Sequence, residues 1–150
     1  LYVAYRRQGR LAEAEGVLRD GLAVASRPTT FAKLMARDLL ARGDLQQALA
    51  VMALHDPAIG EDPEFHALRG SLLLQAADFA AAAEVYGSLV AFDASNGPWR
   101  AGLGISQEQL GDREAAEQNF KAALEAGGLA PSVENYVRQR LPGGSAGNGD

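Results

Sequence analysis

The chain has 150 residues, of which 47% are apolar and 22% charged, a balance that fits one soluble globular domain and not a disordered or fibrous chain. It has no cysteine, which excludes a disulfide scaffold, a thiolate metal site and a cysteine nucleophile. The net charge of −5 argues against a general nucleic-acid binder, and charges spread along the whole length leave no run of about 20 apolar residues for a membrane-spanning helix.

In chain order, the sequence opens on Leu1 inside what reads as a helix, LYVAYRRQGRL, with no signal-peptide pattern. It reads as a piece of a longer protein, with further repeat or another helix expected before residue 1. Helical spacing of apolar residues, with no convincing period of two, places helices near 1–8, 11–26, 29–42, 44–54, 63–76, 78–93, 98–110 and 112–126. About a fifth of the residues are Ala, the strongest helix former. His55-Asp56-Pro57 should stop the fourth helix early, and the loop HDPAIGED follows it. PSVENYVRQRL, near 131–141, reads as a capping helix with Val133, Tyr136, Val137 and Leu141 turned to the core. Residues 142–150 are Gly-rich without large apolar groups and are expected to be a flexible tail.

A repeat organises these helices. The stretches RQGRLAEAEGVL, ARGDLQQALAVM, QAADFAAAAEVY and QLGDREAAEQNF align on Gly9, Gly43, Ala77 and Gly111, each 34 residues after the last. Five positions later stand Ala14, Ala48, Ala82 and Ala116, and nine positions later Leu18, Met52, Tyr86 and Phe120. Seven positions before the last three pivots stand Ala36, Gly70 and Gly104. Each unit therefore reads as helix, tight turn, helix. The pivot glycine suits a left-handed helix C-cap, Asp44, Asp78 and Asp112 suit N-caps, and the small residues let two helices approach closely.

A 34-residue helix–turn–helix period resembles the tetratricopeptide repeat over nearly the whole chain. Leu103-Gly104, Ala116, Phe120 and Ala123-Leu124 match that family's pattern best. Trp99 sits one place before the expected aromatic, and Gln107 replaces the family tyrosine that Tyr5 keeps. The resemblance implies an all-α, right-handed solenoid over 1–141, with units of about 1–28, 29–62, 63–96 and 97–130 and a capping helix at 131–141. Within residues 63–141, the Trp99–Ile105 run and the closing Tyr136–Leu141 also resemble tetratricopeptide proteins of mannose-sensitive haemagglutinin (type IV-like) pilus biogenesis. That narrower resemblance implies a bacterial periplasmic domain behind an inner-membrane anchor encoded upstream.

Little in the sequence points to catalysis, a metal or a cofactor. Ser71 and Ser88 fall mid-helix, Ser106 has Gln neighbours, and His55 and His66 are 11 residues apart with no triad partner. Asp62, Glu64 and His66 read as carboxylates at a helix start with a half-exposed histidine, in preference to metal ligands. Gly102-x-Gly104 begins a dinucleotide-loop look-alike that fails at Gln107 and follows no strand. Trp99 is expected to pack behind Pro98 at the junction of units three and four, and Tyr86 and Phe120 to be core knobs.

Charge is uneven. Residues 1–50 hold 8 Lys and Arg against 5 Asp and Glu, and residues 51–150 hold 6 against 14. In the family, the first helix of each unit lines the concave face. Projecting the register there gives a partner-binding groove of Arg6, Arg7, Lys33, Arg37, Ser71, Leu74, Gln75, Ile105 and Glu108, basic at its start and acidic at its end. The expected partner is a protein or peptide with acidic and apolar residues, with no nucleic acid and no membrane contact by this stretch. The expected function is a non-enzymatic scaffold for envelope assembly, such as a type IV-like pilus. The alternatives are a soluble cytoplasmic adaptor or co-chaperone binding peptide tails, and substrate recognition for a catalytic domain outside this stretch. The family's chaperone-tail clamp wants Lys and Asn on the first helices; Lys33 fits it, while Arg37 stands where Asn is expected.

Overall fold

The structure is a computed structural model that describes residues 2–24 and 28–143. The chain divides into two compact units, Leu1–Phe65 and His66–Asp150. Every regular element among the described residues is an α-helix.

The first unit contains α1 (Tyr2–Arg7), α2 (Leu11–Val24), α3 (Pro28–Ala41), α4 (Leu45–Ala53) and the start of α5 (Pro63–Gln75), with α1 packed on α2, α2 on α3 and α3 on α4. The second contains the rest of α5, then α6 (Phe79–Phe92), α7 (Gly97–Gln109), α8 (Arg113–Ala126) and α9 (Pro131–Arg140), with α6 on α7, α7 on α8 and α8 on α9. The helix limits lie within two residues of those the periodicity predicts, save the expected start at 1 and the expected end at 26, which lie outside the described residues. At nine residues, α4 is shorter than the 14-residue α2, α6 and α8, because Pro57 and its neighbours end it.

The 34-residue period is visible atom by atom at the turns. Arg10, Asp44, Asp78 and Asp112 each donate their backbone N–H to the carbonyl five residues back, at Tyr5, Leu39, Leu73 and Gln107, over 2.9, 2.9, 3.0 and 2.9 Å. This is the six-to-one bond that closes a helix when the residue in between turns left-handed. That residue is Gly9 (φ 71°), Gly43 (82°), Ala77 (58°) and Gly111 (89°). Ala77 holds this conformation with a Cβ, at a strain of about 1 kcal/mol. Two of the three expected aspartate caps form: Asp78 accepts from Ala81 N–H and Asp112 from Ala115 N–H, each at 3.2 Å. Asp44 makes no side-chain cap, and its charge instead acts on the nearby Arg42.

The repeating small and large positions form the core. Ala14, Ala48 and Ala82 are 0% exposed and Ala116 is 2%. Met52, Tyr86 and Phe120 are buried nine positions past each pivot; the Leu18 side chain lies outside the described residues. In the second unit, aromatic rings fill hollows left by glycine. A Cβ at Gly70 would stand 2.9 Å from the Tyr86 ring, one at Gly102 2.5 Å from the same ring, and one at Gly104 2.7 Å from Phe120. Tyr86 is thus held between α5 and α7, and burial pushes its hydroxyl up to about 12. The first unit adds charged ties to its alanine, methionine and leucine core. Arg42, just past α3, reaches Glu15 on α2 at 2.7 Å and Asp38 at 3.5 Å.

Candidate functional site

The sequence-predicted groove residues fall on α1 and α3 of the first unit and on α5 and α7 of the second. Arg7 is exposed, and the Arg6 side chain lies outside the described residues. On α3 the outward stripe is Thr30, Leu34, Arg37 and Ala41, spaced as one helix face, all exposed. Leu34 is 45% exposed, and Arg37 has no partner among the described residues. The projection included Arg37 and missed Leu34, whose hydrophobicity reads as core in sequence.

Lys33 is not a free cation. Its Nζ lies 2.8 Å from an Asp62 carboxylate oxygen and 3.9 Å from Glu64. Asp62 also accepts the backbone N–H of Phe65 at 3.0 Å, capping α5. Burial pushes the Asp62 carboxyl up, but hydrogen bonds from Lys33, Thr29 and Phe65 outweigh it and hold it below the usual carboxylate range. The basic start expected for the groove is therefore partly neutralised from within. The loop that carries Asp62 returns to the first turns of α3 and closes a cleft of about 760 Å³, lined on one side by Pro28, Thr29, Thr30 and Lys33 and on the other by His55, Asp56, Pro57, Glu61 and Asp62. His66 is buried at 7% exposure, not half-exposed, because its place after the cap turns it inward. Among the described residues no group of three or more His, Asp or Glu is placed to hold a metal ion, and no helix is long and apolar enough to cross a membrane.

In the second unit, Ser71 and Leu74 are half-buried and Gln75 is exposed on α5. Ile105 packs against the core cluster of Ala101, Ala116, Phe120, Ala123 and Val137. Glu108 accepts the Tyr136 hydroxyl and the Arg140 Nε–H, the latter at 2.9 Å. Arg140 stacks over the Tyr136 ring at 4.2 Å, and Tyr136 meets Phe120 edge-on at 6.3 Å. Burial, then the bond to Glu108, raises the Tyr136 hydroxyl above its ordinary value. So α9 is locked onto α7 and α8 by a polar clasp as well as by the buried Val137, and the acidic end of the projected groove is taken by that clasp. Sequence reading found the apolar face of α9 but missed the clasp, whose members lie 28 and 32 residues apart.

Other residues considered for chemistry have structural uses. Ser106 is fully buried, and its hydroxyl donates to the Gly102 carbonyl at 2.8 Å. Gln107, which stands where a tyrosine is expected, accepts from Asn119 at 2.9 Å, and Asn119 in turn accepts from Arg100 at 3.1 Å. Trp99 is half-buried, its backbone N–H capped by Asn96 at 3.1 Å.

No family profile matches the chain, and no curated protein matches it in sequence. Solved structures do. MamA 41-end from Desulfovibrio magneticus RS-1 superposes with a TM-score of 0.71 at 17% identity, over 93% of this chain and 78% of that one. A tetratricopeptide repeat protein from Parabacteroides merdae gives 0.71 at 18%, over 93% of this chain and 57% of that one. The first tetratricopeptide domain of Spaghetti (RPAP3), bound to the HSP90 peptide SRMEEVD, gives 0.67 at 20%, over 78% and 93%. Together with the 34-residue turn geometry, these likenesses establish that the chain has the helix–turn–helix fold of the tetratricopeptide-repeat α-solenoids.

Proposed function

We propose that the chain is a non-enzymatic interaction scaffold that holds a protein or peptide segment against the outward faces of its helices. The observation that carries this reading is the α3 stripe, where an exposed leucine stands one turn from an exposed arginine that has no partner among the described residues. A segment with apolar and acidic residues would bury Leu34 and pair with Arg37. The fold supports the same reading, since repeat helices offer preformed surfaces that need little ordering. In the second unit Ser71, Leu74 and Gln75 are proposed for the same role, with Ile105 and Glu108 shaping the site, since both are held by neighbouring side chains. The segment's business would be assembly of a bacterial envelope structure such as a type IV-like pilus, on the periplasmic side of an inner-membrane-anchored protein. That assignment rests on the sequence resemblance of the Trp99–Ile105 run and the closing Tyr136–Leu141 alone.

A second reading is a cytoplasmic adaptor for peptide tails. The peptide-bound Spaghetti domain favours it. Against it, Lys33 is already paired with Asp62.

Capture from a native envelope extract tests the proposal, with the wild-type chain and an Arg37→Glu/Leu34→Ser variant as baits. Both positions are exposed, so the variant's helical melting curve should match the wild type's within about 0.5 kcal/mol. Pilus-assembly proteins should be retained by the wild type and lost by the variant. Equal retention on both baits would remove the α3 stripe from the function, and capture of cytoplasmic chaperones alone would favour the adaptor.

A further inference from the structure

We propose that α9 is an internal stand-in for a partner, and that a protein segment with an aromatic residue and, one turn later, an arginine displaces it from the second unit. The inference rests on the scaffold reading only in taking that partner to be a protein segment. Tyr136 and Arg140 are the aromatic and the arginine of α9 itself, four residues apart on one helix face. One carboxylate of α7 holds both: Glu108 accepts the Tyr136 hydroxyl and, at 2.9 Å, the Arg140 Nε–H. The Arg140 guanidinium also lies 4.2 Å over the Tyr136 ring. Val137, next in the chain to Tyr136, is fully buried in the core cluster that includes Phe120. What α9 lays on α7 and α8 is thus the anchor pattern of a helical ligand, an apolar side chain with an aromatic and a cation beside it.

Three features make α9 separable from the surface it covers. It hangs on a glycine joint, since Gly127 and Gly128 both take left-handed φ, 74° and 72°. The Gly127 carbonyl is pressed on Gly97 at the start of α7, where a Cβ would stand 2.1 Å away, so the α8 side of the joint is fixed. Next, α9 starts at Ala130 without a side-chain cap, and at ten residues it is too short to hold a helix alone in water. Last, its ties to α7 are partly exposed, with the Arg140 side chain 41% and the Glu108 side chain 22% accessible. Exposed pairs of this kind are individually weak. Val137 is the one fully buried side chain of α9, so this helix opens as a local unit at lower cost than α7 or α8.

A way in lies beside the clasp. A cleft of about 340 Å³ has Glu108, Phe120, Arg140 and Pro142 on its wall, and Arg113 and Glu117 add one charge of each sign. That is the low end of ligand-site volumes, enough for a side chain to reach the carboxylate and the ring before α9 leaves. An acidic segment would meet Glu108 with its own charge. A segment with an aromatic and an arginine one turn apart brings the same ties that α9 gives up, so the exchange conserves contacts.

The test uses the full chain, isotope-labelled, and an unlabelled synthetic peptide of residues 131–141 as the probe. The peptide carries the anchors of α9, and its apparent affinity is that of the uncovered surface multiplied by the fraction of chains in which α9 is open. Binding should shift amides of α7 and α8 and move those of 131–140 towards the positions of an unstructured segment. Arg140→Ala in the chain loosens α9 and leaves the surface intact, so this variant should bind the peptide roughly fivefold more tightly than the wild type. Glu108→Gln weakens α9 and the peptide alike, so it should show none of that gain. A peptide with Tyr136→Ala and Arg140→Ala should not bind. The proposal falls if both chain variants gain equally, if neither gains, if the α9 amides stay in place while the peptide binds, or if the alanine peptide binds as well as its parent. Wild-type dimers that exchange α9 between copies would assign the surface to self-association and overturn the partner reading. Envelope capture keeps the two readings apart: capture through the α3 stripe without this pattern of peptide affinities overturns the α9 stand-in alone, and the pattern without a captured partner overturns the α3 scaffold alone.

Discussion

The two units build the same repeat with different materials. In the second, helices meet through shape: Tyr86 lies against Gly70 and Gly102, and Phe120 against Gly104. In the first, the matching large position is the buried Met52 and the matching small one Ala36, and charged ties help join the elements, with Arg42 on Glu15 and Lys33 on Asp62. A rigid ring seated on a glycine tolerates no added atom, whereas methionine adapts to irregular space. From α5 to α8 the second unit therefore draws its specificity from contacts indifferent to pH and salt near neutrality. Charge enters it at the α9 clasp of Glu108 and Arg140, whereas the first unit uses charge between its main helices and loop. The α3 stripe and the cleft beside the 55–62 loop belong to the first unit, whereas the second unit's Glu108 and Arg140 are taken up in its own clasp.

The largest expected effect breaks the second unit's packing. Gly102→Ala puts a Cβ 2.5 Å from the Tyr86 ring, and Gly97→Ala puts one onto the Gly127 carbonyl, which as backbone yields least. Each should cost about 3 kcal/mol in urea unfolding, at the upper end for overpacking. In the first unit Gly43→Ala meets nothing within 4 Å and suffers only from φ +82°, so its cost should stay near 1 kcal/mol. Equal losses at Gly43 and Gly102 would show that close approach does not distinguish the units.

A somewhat smaller effect belongs to alkaline solution. The Tyr86 hydroxyl titrates at about 12 when folded, against an ordinary value near 10. The unfolded chain thus loses this proton first as pH rises, and stability falls between about pH 10 and 12. The slope from this group is about 1.4 kcal/mol per pH unit, reaching nearly 3 kcal/mol at the top of the window. Tyr86→Phe should remove that component and leave the slope from the other titrating groups. Unfolding midpoints of the two chains measured across that range give the difference directly.

How much of this was legible in the sequence depends on the range of the interaction. The turns were legible because each is set by a local choice, a left-handed residue followed in three of the four by an aspartate, and it recurs every 34 residues. The early end of α4 was legible from Pro57. The buried alanines and aromatics were legible because helical period and repeat register point to the same face. The surface chemistry was not. Nothing local says that Lys33 will find Asp62, 29 residues on, across an irregular loop, or that Glu108 will be claimed by Tyr136 and Arg140. Such pairs depend on how a loop or a terminal helix folds back, and a charge projected onto a helix face shows its position without its partner. The exposed Leu34 was not picked out, since hydrophobicity alone does not say whether a neighbouring helix covers a residue.

The smallest of the three effects isolates the charged tie of the first unit. Asp62 accepts from Lys33 and from the Phe65 N–H, and its carboxyl is held below the usual range. A carboxyl whose folded pKa is depressed adds stability that is complete above its unfolded value, near 4, and that disappears as pH falls through the lower folded value. Asp62→Asn keeps an oxygen that can cap α5 but removes the charge facing Lys33. At pH 7 it should cost about 1 kcal/mol, the scale of a good cap or a partly buried pair. Below the folded pKa the wild-type side chain is itself neutral, and the two melting curves should converge. Raising salt at pH 7 should narrow the gap modestly, since the pair lines an open cleft but is itself only partly exposed. A gap that persists unchanged into acid would mean that Asp62 works through shape and hydrogen bonding alone, and the contrast in materials between the units would then rest on Arg42 and Glu15.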